Sequence, residues 1–223
     1  MIPIPALLVD LQATGASPAH GHPLELAWAL PDAKPDAPPT AHLLALPEGI
    51  QIPRPIQRLT GITAELLADA LPAAQVIDAL RHAARGRVLV AHWARYEQAF
   101  LTAHLPDAEW ICTYELARRL LPDLPRRGLR AVAGFLGLAL PEHKRAAGHV
   151  QATALIWRAL QPHLAARGVT DLAGLRALLA EAPPKPGKAR YRLPAKVRLA
   201  LPEGPGVYRM LGKGGEVLYV GKA

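Results

Sequence analysis

The N-terminal run Ala6-Leu7-Leu8-Val9-Asp10 sets four consecutive apolar residues directly before a carboxylate. An uninterrupted apolar run of this kind predicts a strand covered on both faces, and therefore a sheet packed between helices. The acid at its end, beside the turn residues Ala13-Thr14-Gly15, suits a metal ligand at the carboxyl edge of a strand. Taken alone, Asp10 is explained equally well as a residue that caps this turn.

Further apolar segments, separated by turn residues, predict an α/β layered domain with a mixed sheet. After the first strand we expect strands over 24–30, 42–46, 87–91 and 109–112. Helical periodicity predicts helices over 63–71, 73–84, 94–104, 114–121, 128–136, 146–160 and 170–181.

A Pro-rich, basic stretch over 183–200 predicts a linker. We therefore expect a main domain over 1–165, a C-terminal helix within 166–182 and a separate hairpin over 201–223. Residues 183–223 carry nine Lys or Arg and two acids, whereas the rest of the chain is nearly balanced. A local basic segment favours contact with a nucleic-acid backbone, although a basic tail also serves solubility alone.

Composition excludes several classes of protein. The single cysteine, Cys112, cannot form an internal disulfide, and its apolar setting predicts a buried small residue. The N-terminus lacks the basic region of a secretory signal, and no stretch is long and apolar enough to span a bilayer. We therefore expect a cytoplasmic protein without a membrane partner.

Two segments carry motifs of a known family. Val9-Asp10-Leu11-Gln12-Ala13-Thr14-Gly15 is similar to Asp-x-Glu-Thr/Ser-Thr-Gly, and Leu89-Val90-Ala91-His92-Trp93-Ala94-Arg95-Tyr96-Glu97 is similar to Val-x-His-Asn-x-x-Phe-Asp. Between them, Leu59-Thr60-Gly61-Ile62-Thr63 matches the connecting segment. Over about residues 5–160 the chain thus resembles the DnaQ-like 3′–5′ exonucleases of the DEDD superfamily. The resemblance implies a ribonuclease H-like mixed sheet flanked by helices, and hydrolysis of DNA with two divalent cations.

The resemblance also assigns the metal ligands, and this sequence replaces most of them. Asp10 is unchanged, Gln12 stands where the family has Glu, and Glu97 stands where the family has Asp. Two divalent cations bring four positive charges, whereas Asp10 and Glu97 supply only two carboxylates. We therefore expect at most one Mg²⁺ or Mn²⁺ ion, and weak or lost hydrolysis.

The third family motif, His-x4-Asp, fits residues 143–149 in two alignments. In one alignment Lys144 takes the place of the general base and His149 that of the last ligand. In the other, His143 is the base and Gly148 falls on the ligand position. Neither alignment supplies an acid, and a protonated lysine is unfit as a base.

Other residues complete the expected site. A variant centre is an alternative, in which Zn²⁺ or Mn²⁺ binds Asp10, Glu97 and His149. The resemblance implies that nucleic acid lies near Thr14, His92 and Arg95.

The end of the sequence carries a second resemblance. Gly206-Val207-Tyr208 and Tyr219-Val220-Gly221-Lys222 are similar to the opening of a GIY-YIG endonuclease domain, as in the excision-repair incision subunit. This implies catalytic roles for Tyr208 and Tyr219 and a nucleic-acid contact for Lys222. The family's arginine and metal-binding glutamate come from later helices, so we expect a truncated hairpin, incomplete for this reaction.

Three hypotheses follow for function. The first is a DNA-binding relative of the exonucleases that holds a single strand or a 3′ end, with repair or replication proteins as further partners. The second is an active metal-dependent 3′–5′ exonuclease with variant ligands. The third is a protein-interaction domain that binds no nucleic acid.

Overall fold

Strand β1, Ala6–Ala13, lies at the centre of a five-stranded sheet. The computed structural model describes residues 2–33, 37–124, 126–140, 144–184, 196, 200, 204–212 and 214–222. The other strands are β2 Pro23–Ala29, β3 Thr40–Leu43, β4 Val88–Ala91 and β5 Trp110–Cys112, in the order β3-β2-β1-β4-β5. The β1–β2 and β2–β3 pairs are antiparallel, whereas β1–β4 and β4–β5 are parallel. The predicted mixed sheet is therefore confirmed.

Helices cover both faces of this sheet. They are α1 Arg54–Thr60, α2 Ala73–Ala84, α3 Arg95–Leu101, α4 Thr113–Leu120, α5 Leu129–Phe135, α6 Ala146–Ala166 and α7 Leu172–Ala180. Leu8 packs in the cluster that holds residues of α4, α5, α6 and α7, whereas Leu7 and Val9 pack in the cluster that holds residues of α2 and α3. Successive strand residues point to opposite faces, which explains why the run is apolar at every position.

The segment before α2 differs from the prediction. A helix was expected over 63–71, but residues 64–69 form turns, and the regular helix is α1, Arg54–Thr60. Pro55 in the first turn of α1 favours its start, and Gly61, with φ of 72°, ends it in the left-handed conformation. After Thr63 most of the backbone hydrogen bonds reach back three residues and not four, so this segment forms successive turns instead of a continuous α-helix.

Helix α6 is longer than expected, and α7 packs beside it. The structure extends α6 to Ala166, with Trp157, Leu160 and Leu164 fully buried. Leu175 and Leu178 of α7 lie in the same core cluster, so α7 contributes to the main core. This agrees with the first of two structural units, Met1–Gly187.

The second unit, Lys188–Ala223, contains a hairpin of β6 Val207–Leu211 and β7 Val217–Lys222. Its strands pair antiparallel, as the sequence predicts. The expected linker 183–200 lies almost wholly outside the described residues, and His143 and Ala223 are also outside them. Within the described ranges no helix is long and apolar enough to cross a membrane.

Candidate active site

Asp10 is the centre of the candidate site. It lies on β1 opposite Ala27 of β2, and its side chain is almost fully buried. The turn that follows is tightly built, because the Thr14 hydroxyl accepts a hydrogen bond from the backbone N–H of His22 at 2.8 Å. A Cβ atom on Gly15 would collide with the His20 carbonyl, so glycine is required there. The Thr14 side chain, predicted to lie near nucleic acid, is thus engaged in holding this turn.

Gln12 and His149 occupy both oxygens of the Asp10 carboxyl. Gln12 Nε2 donates to Asp10 Oδ2 at 2.9 Å, and His149 Nδ1 lies 3.1 Å from Asp10 Oδ1. Since a carboxylate oxygen and a bare ring nitrogen would repel each other, one proton lies between His149 and Asp10. Gln12 Nε2 also lies 3.3 Å from His149 Nδ1, so the three side chains are packed against one another.

The position of His149 distinguishes the two alignments of the third motif. The structure places His149, not Gly148, against Asp10, which favours the alignment with Lys144 at the base position. Lys144 itself is exposed, two residues before α6. His143, the other candidate base, lies outside the described residues.

Arg145 and Glu25 form a clamp that holds the start of α6 in place. The sequence analysis did not identify this pair. Arg145, at the start of α6, binds Glu25 of β2 through two hydrogen bonds of 3.0 and 2.7 Å, and Glu25 also accepts from the Ala146 N–H at 2.8 Å. Glu25 pairs with Gln12 across the β1–β2 ladder and is buried. The acid therefore fixes the first turn of α6 and, through it, the approach of His149 to Asp10. A buried acid within strand β2 was the available signal.

Glu97 is the second carboxyl of the site. It lies on α3, is buried, and its Oε2 atom has no hydrogen-bond partner among the described residues. Burial raises the pKa of Glu97 well above its ordinary value, and the nearby Asp10 charge raises it further. Burial likewise raises the pKa of Asp10, against the lowering effect of His149 and Gln12. A buried, unpaired carboxyl oxygen is costly, so it marks a position selected for something other than stability.

His92 has its two ring nitrogens engaged by the protein. Nδ1 lies 2.8 Å from the Thr113 hydroxyl, and Nε2 lies 2.9 Å from the Arg127 carbonyl oxygen, to which it donates. Burial lowers the pKa of His92 to about 4, so the ring is neutral at pH 7. His92 therefore joins β4, α4 and the loop before α5. Arg95, at the start of α3, is exposed.

A cleft of about 460 Å³ opens beside Asp10, His92 and His149. Arg126 and Arg130, which the sequence analysis did not single out, contribute to its wall. Two guanidinium groups beside a recessed carboxyl are suited to an anionic ligand that approaches from solvent. Among the described residues, no three or more His, Cys, Asp or Glu side chains are grouped so as to hold a metal ion.

The second unit brings its two predicted tyrosines together. The rings of Tyr208 and Tyr219 have centroids 5.9 Å apart, on neighbouring strands. The end of the Tyr208 ring lies over Gly221, and this half-exposed ring would have to move to admit a Cβ atom there. Lys222, the predicted nucleic-acid contact, is exposed at the end of β7.

No protein-family profile matches the chain. A Mycobacterium tuberculosis protein that carries the name of a bifunctional exonuclease/endonuclease is 35% identical over 181 residues. The match covers 77% of this chain and 27% of that protein. The PolC-type DNA polymerase III of Streptococcus pneumoniae is 35% identical over 125 residues, covering 52% of this chain and 8% of the polymerase. The chain thus spans about a quarter or less of the length of these relatives.

Solved structures agree on the architecture. Exonuclease X in complex with 5′ overhanging duplex DNA matches with a TM-score of 0.58 and 24% identity, covering 78% of this chain and 99% of that one. Escherichia coli exonuclease I in complex with a dT13 oligonucleotide matches with a TM-score of 0.63 and 16% identity, covering 77% of this chain and 45% of that one. A zinc-bound form of the exonuclease I–single-stranded DNA complex matches with a TM-score of 0.63 and 15% identity, covering 73% of this chain and 42% of that one.

The five-stranded mixed sheet flanked by helices is the ribonuclease H-like fold of the exonucleases. The main unit therefore has the fold of these exonuclease structures, and the residues around Asp10 lie in its candidate site.

Proposed function

We propose that this exonuclease-type domain holds a single strand or 3′ end of DNA in the cleft beside Asp10, and that phosphodiester hydrolysis there is weak or lost. The observation that carries the proposal is the network of Asp10, Gln12 and His149. Two positions where the family has carboxylates now present groups that hydrogen-bond to the one remaining aspartate. These contacts hold the Asp10 carboxyl without any cation.

The donor set fits one divalent cation and not two. Asp10 and Glu97 are the two carboxyls of the site, and the free Oε2 of Glu97 is the oxygen best available to a cation. Gln12 and His149 bring no negative charge, so a second ion would be poorly balanced. Asp10 and Glu97 are the residues that would hold one Mg²⁺ or Mn²⁺ ion, and such an ion would supply Lewis-acid polarisation of a phosphoryl oxygen. Arg126 and Arg130 would bind and orient the phosphate in either state.

The comparisons support DNA as the ligand. Exonuclease X and exonuclease I were both solved with DNA, in one case an overhanging duplex and in the other a single strand. The cleft of the present chain has the basic wall that such a ligand requires. Repair or replication proteins are proposed as further partners, and one relative is by name a DNA polymerase.

A binding experiment tests the ligand. The full chain is titrated with fluorescently labelled single-stranded DNA in EDTA at several salt concentrations. We expect affinity to fall steeply with salt, and the double variant Arg126→Gln, Arg130→Gln to bind at least about tenfold more weakly. The matched control, Arg58→Gln with Arg85→Gln, removes two exposed arginines outside this cleft. Salt-independent binding, or none, would favour the protein-interaction hypothesis instead.

A second experiment tests the loss of hydrolysis. End-labelled single-stranded DNA is incubated with Mg²⁺ or Mn²⁺, and products are resolved by length. We expect few or no laddered products from the wild-type chain. The combined variant Gln12→Glu, Glu97→Asp, Lys144→His, His149→Asp restores the family's ligand set and should produce many more. A wild-type ladder as intense as that of the combined variant, and lost in Asp10→Ala, would overturn the proposal of weak or lost hydrolysis.

An active exonuclease with variant ligands is the second candidate. The buried, unpartnered Oε2 of Glu97 favours it, because an empty acceptor is what a cation would fill. One exonuclease I structure of this fold contains a bound zinc ion, which supports a divalent cation as the cofactor. Under this alternative Asp10, Glu97 and His149 would hold a Zn²⁺ or Mn²⁺ ion.

The second unit is proposed as the opening of a GIY-YIG endonuclease domain. The juxtaposed Tyr208 and Tyr219 and the Tyr208 ring over Gly221 support this, as does the bifunctional exonuclease/endonuclease name of the mycobacterial relative. This unit would need an arginine and a glutamate from a later segment to cleave DNA. A longer form of the chain should nick duplex DNA, and Tyr208→Phe should reduce that nicking.

A further inference from the structure

A second cleft adjoins the Asp10 site. It has a volume of about 290 Å³ and lies at the carboxyl ends of β4 and β5. Trp93 and Tyr114 form its aromatic wall, with ring centroids 4.6 Å apart and ring planes at 84°. Tyr114 also contacts His92 edge-on at 6.1 Å, and His92 lines the first cleft. His92 therefore lies between the two clefts, in the wall of the first and against an aromatic residue of the second.

Trp93 adopts a conformation that is unfavourable for its residue type. Its φ of 71° makes it the one non-glycine residue with positive φ in the described part of the chain. The similar family motif has asparagine here, a residue that tolerates this region far better than a bulky side chain. About half of the Trp93 side chain is nevertheless exposed, so its indole adds little to the core. A strained residue that gives little packing in return is typical of a functional site.

The charge around this aromatic pair is positive. Arg95 and Arg118 both line the cleft. Glu115 lies there too, but its carboxylate is shared between Arg118 and Arg119 at 2.9 Å from each. Arg95 has no ion-pair partner among the residues that the structure describes. An exposed aromatic face flanked by arginines is the combination that binds single-stranded nucleic acid, where bases stack and phosphates meet cations.

We propose that Trp93 and Tyr114 form a stacking site for an unpaired DNA base next to the nucleotide held at Asp10. This inference rests on the proposed function, because it assigns a neighbouring nucleotide of the same strand. Trp93 provides the stacking face, Tyr114 supports the indole from its edge, and Arg95 binds the adjoining phosphate. The site reads no sequence, since every base offers a flat face.

The test compares two probes on the full chain in EDTA. One is a labelled oligothymidylate, and the other is a strand of equal length whose 3′-terminal residues are abasic. The wild type should prefer the first probe about tenfold, the difference that one base–aromatic stack produces. Trp93→Asn should bind both probes alike, and Trp93→Phe should retain most of the preference. Asparagine tolerates positive φ, so this variant should fold, and urea unfolding verifies that it has.

The control and the contrary outcomes are specific. Leu59→Ala removes an exposed apolar side chain that lines neither cleft and should keep the wild-type preference. If salt-dependent binding persists but Trp93→Asn keeps the preference for bases, the stacking site is refuted and the proposed function stands. If the wild type binds neither probe, the proposed function fails and this inference fails with it.

Discussion

Protonation of His92 should lower the free energy of unfolding of the domain as the pH falls. The ring is buried between Thr113 and the Arg127 carbonyl, and its pKa lies near 4 against an ordinary 6.5. At a pH between about 4 and 6.5, His92 is therefore protonated in the unfolded chain and neutral in the folded chain. The stability that His92 contributes is fully present above pH 6.5 and is lost as the pH falls towards 4. Because one pH unit corresponds to about 1.4 kcal/mol, the loss is about 3 kcal/mol at pH 4.

The perturbation is His92→Gln, whose amide can still donate to the Arg127 carbonyl but cannot gain a proton. Free energies of unfolding are measured by urea titration at pH 7, 6, 5 and 4 for both proteins. All other titrating groups are shared, so the difference between the two curves isolates His92. Wild type should lose about 3 kcal/mol more than the variant between pH 7 and pH 4. Parallel curves would refute the reasoning, because they would mean that His92 titrates normally.

Further predictions concern the clamp, the strained residue, the core and the metal. Arg145→Met leaves buried Glu25 with only a backbone partner, so urea unfolding should show a loss of about 3 kcal/mol. Trp93→Asn should change the free energy of unfolding by no more than about 1 kcal/mol, because relief of the positive φ offsets the lost ring contact. Leu8→Ala should cost about 3 kcal/mol and Leu218→Ala under about 0.5 kcal/mol, as their burial dictates. In calorimetry, Mn²⁺ should bind with one ion per chain or fewer, and Asp10→Ala should abolish this binding; two ions would contradict the charge argument.

Much of the architecture could be predicted from local patterns. The apolar run before Asp10 predicted a strand buried on both faces, and the 3.6-residue period over 73–84 matched α2 residue for residue. The helix expected from Thr63 was wrong, because residues 64–69 form turns whose hydrogen bonds mostly reach back three residues. A capping residue marks where a helix can begin, but it does not decide whether the following residues continue as a helix.

The contents of the site were only partly predictable. The family motifs pointed to Asp10 and Gln12, which lie two positions apart, and to Glu97 in a second motif 85 positions further along the chain. They left two alignments for the third motif, and the distance between His149 and Asp10 distinguished them. The Glu25–Arg145 clamp carried no recognisable motif, since neither residue is a family ligand. The Trp93–Tyr114 contact could not be predicted from sequence either, because it depends on the conformation of the turn that follows β4.

The sequence by itself determined the alternation of strands and helices, the loss of two carboxylates and the concentration of basic residues after 183. The first and the last are properties of period and composition, which each short segment carries alone, whereas the loss of two carboxylates is what the resemblance to the exonuclease motifs implies. Only the tertiary structure decided what meets at Asp10. His149 is 139 positions away, and Arg145 is 120 positions from Glu25. Such contacts exist because helix α6 packs against β1 and β2, and the direction of each side chain across that packing is a property of the assembled core.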